Sequence, residues 1–284
     1  MTTALAARLD RLDGIVGELG SVLVAFSGGA DSALVLAIAV RRLGQAQVAA
    51  ATGVSDSLAA PERQSAEEFA ASLGVRWYQP GTHELRREGY RRNAGDRCYH
   101  CKSELMSVLA PLAAQLGLAH VATGTNADDM VAGFRPGIRA AHEAGARAPL
   151  AEAGLSKADV RASSAALGLP TWDKPAAACL SSRIAYGLVI TPAALSRVER
   201  SEAAVREVLA AHGVAVVDLR VRDLGADRAR IELDPVALAS VSEVDAGSEL
   251  LSATLRDCGF AAVAVAPFRS GSMNDVLADQ ARAG

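Results

Sequence analysis

The chain has 284 residues, a formal net charge of −3, four cysteines, and 4% aromatic against 50% hydrophobic residues. That length points to about two domains with ample core, and no apolar run reaches the roughly 18 residues of a membrane span. The absence of a basic excess counts against a nucleic-acid partner. A start without a signal-peptide pattern gives a cytoplasmic expectation, in which clustered cysteines serve as metal ligands or reactive groups rather than disulfides.

In chain order, residues 4–19 mix apolar and charged positions and read as a helix. The apolar run Val22 to Phe26 has the length of a buried strand. After it come Ser27-Gly28-Gly29-Ala30-Asp31-Ser32 and a helical run from Ala33 to Val40. A strand, a glycine turn and a helix start form an anion site, because free N–H groups and the positive end of the helix dipole converge there. The loop lacks the GxxxxGK[ST] pattern of a Walker A site. A second strand is expected within Ala46–Val54, a helix from Pro61 to Leu73-Gly74, and a third strand at 75–78. This alternation predicts an α/β, doubly wound parallel sheet, with ligands at the carboxyl ends of its strands.

Cys98 and Cys101 fall in Asp96-Arg97-Cys98-Tyr99-His100-Cys101-Lys102. Asp96 is a candidate cap for a helix whose Leu105, Leu109, Leu112 and Leu116 recur at helical spacing, with Pro111 expected to kink or divide it. The two thiols then share the face of a first turn, where the dipole lowers a thiol pKa. A strand within Leu118–Thr123 runs into Gly124-Thr125-Asn126-Ala127-Asp128-Asp129. Carboxylates there suit a magnesium ion shared with phosphate, and equally a polar turn and helix cap. Lys157 opens a short helix that closes at Leu167-Gly168. Cys179 lies in a loop after Lys174-Pro175 and before Arg183, an electropositive setting that favours thiolate.

From Thr191-Pro192 the rhythm changes to helix, strand, strand, helix, strand, a smaller C-terminal α+β domain. The boundaries read as 1–185, 186–275 and a tail 276–284. Strands are expected at 214–221, 228–233 and 260–265, with a helix between the last two that Gly247 can break. Arg220 and Arg222 project from one strand face, which reads either as a phosphate receptor or as a solvated face. Cys258 sits in an apolar pattern and reads as core.

SGGADS at 27–32 resembles the pyrophosphate loop of the ATP pyrophosphatases. Together with DRCYHCK at 96–102, GTNADD at 124–129, RPG at 135–137, DKPAAACLSSRIAYG at 173–187 and RSGSMN at 269–274, the whole chain resembles the LarE-type sulfur transferases of nickel-pincer cofactor synthesis. The resemblance implies ATP and Mg2+, with Ser27, Gly28, Gly29, Asp31 and Ser32 on pyrophosphate. It implies Asp128 or Asp129 on magnesium and a small-molecule nucleotide whose carboxylates are adenylated and then thiolated. Arg183, Arg220, Arg222 and Arg269 are its candidates for the substrate phosphate, with Glu202 as a weaker acidic partner.

Because Cys98 and Cys101 accompany Cys179, the likeness is to the cluster-dependent branch. All three are then ligands of a [4Fe–4S] cluster that carries sulfide from a sulfur donor. The alternative is single-turnover, sacrificial use of the Cys179 sulfur. The family habit adds a homo-oligomer, a hexamer. Departures are Gly133 where an acid is expected and Ala185 where a proline is common. A tRNA thiolase of the same loop family is the nearest rival, opposed by the charge and the RSGS tail. A non-enzymatic nucleotide module with structural zinc is the rival from another class.

Overall fold

In the computed structural model, residues 3–131, 135–175, 178–243, 247–269 and 271–274 are described. Gly133, Ser270 and the 276–284 tail lie outside them. The elements run α1 (Thr3–Leu19), β1 (Val22–Ala25), α2 (Ala30–Leu43), β2 (Val48–Ala51), α3 (Ala60–Ser72), β3 (Arg76–Tyr78), α4 (Glu88–Arg91), α5 (Arg97–Gln115) and β4 (His120–Ala122). They continue with α6 (Ala127–Val131), α7 (Pro136–Glu143), α8 (Pro149–Glu152), α9 (Lys157–Ala166), α10 (Pro192–Ala211), β5 (Leu219–Asp223), β6 (Arg228–Leu233), α11 (Pro235–Glu243), α12 (Gly247–Asp257) and β7 (Ala262–Pro267). Among the described residues no helix is long and apolar enough to cross a membrane.

Two compact units form: Met1–Arg87 with Asp96–Ala177, and Glu88–Gly95 with Ala178–Gly284. The first holds a parallel sheet in the order β3-β2-β1-β4. Alternation in the strands loads both faces. Val22, Val24, Val48 and Ala50 pack with Leu12 and Val16 of α1, Leu34 and Ile38 of α2, Phe69 of α3 and Val160 of α9. Leu23, Ala49 and Ala51 pack with Met106, Leu109 and Ala113 of α5. Helices on both faces make this the doubly wound α/β architecture the sequence predicts.

Pro111 neither ends nor divides α5, which runs unbroken past it. Asp96 occupies the position before α5 without a side-chain capping bond; its carboxylate meets His100 Nε2 at 3.2 Å instead.

The second unit has a three-stranded sheet in the order β5-β6-β7, antiparallel then parallel. Leu219, Val221, Ile231 and Leu233 form its core with Val205 and Leu209 of α10 and Leu251 and Leu255 of α12. Cys258 is half-buried against that core. The unit begins at 178 rather than 186 and recruits 88–95 for a local reason. Buried Asn93 donates from Nδ2 to the carbonyls of Ile184 and Ala185, while Gly187 N and Ile190 N donate to the carbonyls of Asn93 and Arg91. Asn93 holds a φ of 53°, a left-handed conformation that Asn tolerates better than most residues.

Candidate functional site

In the first unit β1 delivers the chain to the glycine loop at the carboxyl edge of the sheet. Gly28 turns at a φ of +73°, which only glycine adopts without strain. The hydroxyls of Ser27 and Ser32 meet at 3.1 Å, Ser32 Oγ also donates to Gly29 O at 3.1 Å, and Gly29 N donates to Ser27 Oγ at 3.4 Å. These bonds fix a ring of hydroxyl and backbone donors at the start of α2 without any charge. Gly124, at the end of β4, allows the second loop to close on the first. A Cβ there would lie 2.6 Å from Ser32 N and 3.0 Å from the Asp31 carbonyl carbon.

That approach brings Asn126 Nδ2 to 3.3 Å from Asp31 Oδ1, while the Lys157 ammonium pairs with Asp31 Oδ2. Lys157 stands at the start of α9, where Ser156 and Asp159 form a reciprocal capping box. Its backbone N donates to Asp128 Oδ2 at 2.8 Å. Asp129 accepts from Asn126 N at 3.3 Å and faces Arg135 at 3.6 Å. Both carboxylates therefore have structural work in the turn that the sequence offered as an alternative to metal binding. On the other side of the loop, Lys174 Nζ donates to Gly28 O at 3.1 Å and faces Glu62 at 2.9 Å. Lys157 and Lys174 are the residues at this site that sequence reading missed. Their partners lie 126 and 146 positions away, and no local pattern announces them.

Cys98 and Cys101 sit in the first turn of α5, the former exposed and the latter half-buried. The carbonyl of Cys98 is packed against Gly137 of α7, so a Cβ on that glycine would stand 3.2 Å from it. Burial lowers the pKa of neighbouring Lys102, and the charge of the two thiols works against that shift. Tyr99 donates to Glu143 Oε2 at 2.6 Å, and Arg139 lies over its ring at 4.7 Å.

In the second unit Cys179 is exposed, and its Sγ lies 2.9 Å from Ser181 Oγ. Arg183 is 4% exposed. It grips Glu202 with two bonds, 2.8 Å from Nε and 3.2 Å from Nη2, and its Nη1 donates to Cys179 O at 3.1 Å. Within this unit the Arg183 charge near Cys179 is taken by Glu202.

Arg222 binds Glu232 at 2.9 and 2.7 Å and donates to Ser182 O at 3.1 Å. The solvated-face alternative for Arg220 and Arg222 does not hold, since they are 7% and 5% exposed. Burial, and next the charge of Arg183, lower the Arg220 pKa; its guanidinium lies over Phe268 at 5.4 Å. Arg269 is exposed after β7. Ser272 Oγ donates to Glu232 Oε1 at 3.1 Å.

Among the described residues no three His, Cys, Asp or Glu side chains gather as a metal-ligand set. Cys98 and Cys101 belong to one unit and Cys179 to the other.

No protein-family model matches the chain. It is 42% identical over 276 residues to the uncharacterized protein slr1717 of Synechocystis sp., covering 96% of this chain and 99% of that one. It is 34% identical over 275 residues to pyridinium-3,5-bisthiocarboxylic acid mononucleotide synthase of Lactiplantibacillus plantarum, covering 96% of each.

Proposed function

The chain belongs to the pyridinium-3,5-bisthiocarboxylic acid mononucleotide synthase family, and on that footing we propose that it is an ATP-dependent sulfur transferase. It adenylates the carboxylates of pyridinium-3,5-dicarboxylate mononucleotide and converts them to thiocarboxylates, forming AMP and pyrophosphate. One observation carries the reading. A family member pairs an anion-ready glycine loop with an exposed thiol, Cys179, whose own carbonyl is held by a buried ion pair.

A carboxylate is a poor electrophile until one oxygen becomes part of a good leaving group. Ser27, Gly28, Gly29 and Ser32 receive the pyrophosphate with neutral donors and the dipole of α2. Asp31 sets their flank, and Asp128 or Asp129 takes the magnesium ion. Arg183, Arg220, Arg222 and Arg269 serve the substrate phosphate. Arg183 and Arg222 also hold the backbone from Cys179 to Ser182, so that the thiol is presented by a fixed segment.

The donor chemistry fits a [4Fe–4S] cluster: Cys98 and Cys101 lie one helical turn apart, Cys179 supplies a third thiol, and three thiolates leave one iron position open. When bound, that cluster supplies transferable sulfur. A second reading rests on the exposed thiol of Cys179 alone. In it Cys179 attacks the acyl carbon, AMP leaves, and elimination across Cα–Cβ gives thiocarboxylate and dehydroalanine. A cytoplasmic homo-hexamer completes the proposal.

Anaerobic purification with iron and sulfide analysis, applied to wild type and Cys98→Ala, separates the two readings. Iron and sulfide lost in the variant, together with many turnovers per wild-type chain, support the cluster. Absent iron with one turnover and dehydroalanine at position 179 supports the sacrificial route. Sulfur transfer by Cys179→Ala would sink both.

A further inference from the structure

We propose that Lys157 and Lys174 are the cations that receive the pyrophosphate as it departs from ATP, an assignment that rests on the ATP-dependent reading above. The loop donors are hydroxyls and backbone N–H groups, which position a phosphate but do not neutralise it. When a carboxylate oxygen bonds to the α-phosphorus, the bond from that phosphorus to its bridging oxygen breaks. The electron pair stays on the departing oxygen. No proton needs to move, but the new charge on pyrophosphate needs a cation, and such stabilisation of developing charge is commonly the largest catalytic effect.

The two lysines are built into the loop. Lys157 holds Asp31, whose other oxygen is fixed by Asn126 at 3.3 Å, and Lys174 holds the carbonyl of Gly28 at 3.1 Å and the carboxylate of Glu62 at 2.9 Å. They come from different segments and approach the loop at different residues. Their side chains are 37% and 19% exposed, so an incoming anion can reach them. An ammonium carries three donors. The hydrogen bonds named use one donor on each lysine, and Lys174 also faces the Glu62 carboxylate, so each can add a phosphate oxygen without giving up its present partner.

A structural ion pair is the competing account of each contact. Such a pair makes no prediction about phosphate.

The test uses the full-length chain as wild type, Lys157→Met, Lys157→Arg, Lys174→Met and Lys174→Arg. Magnesium pyrophosphate binding is measured by calorimetry, and pyrophosphate release is followed with ATP and the dicarboxylate substrate. Each Met variant should lose about 10²-fold in kcat, with a smaller change in KM for ATP. Each should bind pyrophosphate at least roughly tenfold more weakly, and each Arg variant should recover most of that affinity. Met variants with wild-type kcat and pyrophosphate affinity would overturn the assignment. So would losses that Arg fails to rescue and that track a fall in melting temperature. A wild type that binds pyrophosphate through these lysines but releases none from ATP refutes the ATP-dependent reading, and with it the lysines' role in ATP cleavage, and leaves them as an anion site alone. A wild type that binds no pyrophosphate refutes the assignment itself.

Discussion

Arg183 and Glu202 form a pair whose worth can be measured directly. Their side chains are 5% and 11% exposed, and two hydrogen bonds join them. Glu202 Oε1 also accepts the backbone N–H of Val221 at 3.0 Å. Arg183→Met leaves a buried carboxylate without its hydrogen-bonded cation, and Glu202→Leu leaves a buried guanidinium without its hydrogen-bonded anion; each break costs roughly 3–5 kcal/mol. Arg220 moderates the first change, because the Arg183 charge is the second cause, after burial, of its lowered pKa. Removing Arg183 relieves that repulsion and sets the expected loss near the lower bound, about 3 kcal/mol. Scanning calorimetry reads it as a fall of about 12 °C, at roughly 4 °C per kcal/mol for a unit of this size. The double variant buries neither charge, so its loss should be smaller than the summed single losses by about 2 kcal/mol or more. Single losses that simply add would refute the view that the two groups act as one unit holding the Cys179 segment.

Asp234 gives a pH test: burial works against its ionisation, but N–H bonds from Ala237, Val217 and Asp218 outweigh it, and the pKa lies below the ordinary 3.8. Its contribution is therefore complete above the ordinary value and lost as pH falls through the lower folded one. Asp234→Asn should cost about 1 kcal/mol at pH 7, and its melting temperature should converge on that of wild type in acid; a gap constant with pH would refute this. Gly124→Ala drives a Cβ to 2.6 Å from the backbone N of Ser32, so the loop must shift. The expected outcome is about 1–3 kcal/mol of lost stability with weakened ATP binding by titration calorimetry, and unchanged ATP affinity would show that the two loops need not touch.

The glycine loop was legible because its parts are contiguous: a buried run, two glycines and a helix start. The helices beginning at Pro192 and Lys157 were legible for the same local reason, with Thr191 capping the first and Ser156 the second. The strand expected from 214 was not. Val217 and Asp218 look suited to a ladder, but their N–H groups go to the Asp234 carboxylate, and β5 begins only at Leu219. The fate of Arg220 and Arg222 also depended on register. Antiparallel pairing sets Arg220 beside Glu232 and Arg222 beside Arg230, and Glu232 then binds Arg222 and Arg230 together. Spacing alone showed a shared face and could not show what covers it. Asn93 is the same case, since its partners are 91 and 92 residues away.

On the proposed reading, each unit meets one electrostatic problem in the same way. A site for a polyanion needs cations, yet before the anion arrives those cations repel one another. Two like charges about 4–5 Å apart cost roughly 3–4 kcal/mol at an effective dielectric of 20. The chain sets each cation against a carboxylate: Lys157 on Asp31, Lys174 on Glu62, Arg183 on Glu202 and Arg222 on Glu232. Such pairing keeps the local charge near zero, which is why the formal charge of −3 carried so little information about a phosphorylated ligand. The pairs differ in what they allow. Lys157 and Lys174 are partly exposed on flexible stems and can add an anion to an existing partner. Arg183 and Arg222 each make two bonds to a buried carboxylate and a further one to a backbone carbonyl, so beside the phosphate role proposed for them they hold chain segments in place. Burial, rather than residue type, separates cations that can follow a moving charge from cations that fix a thiol.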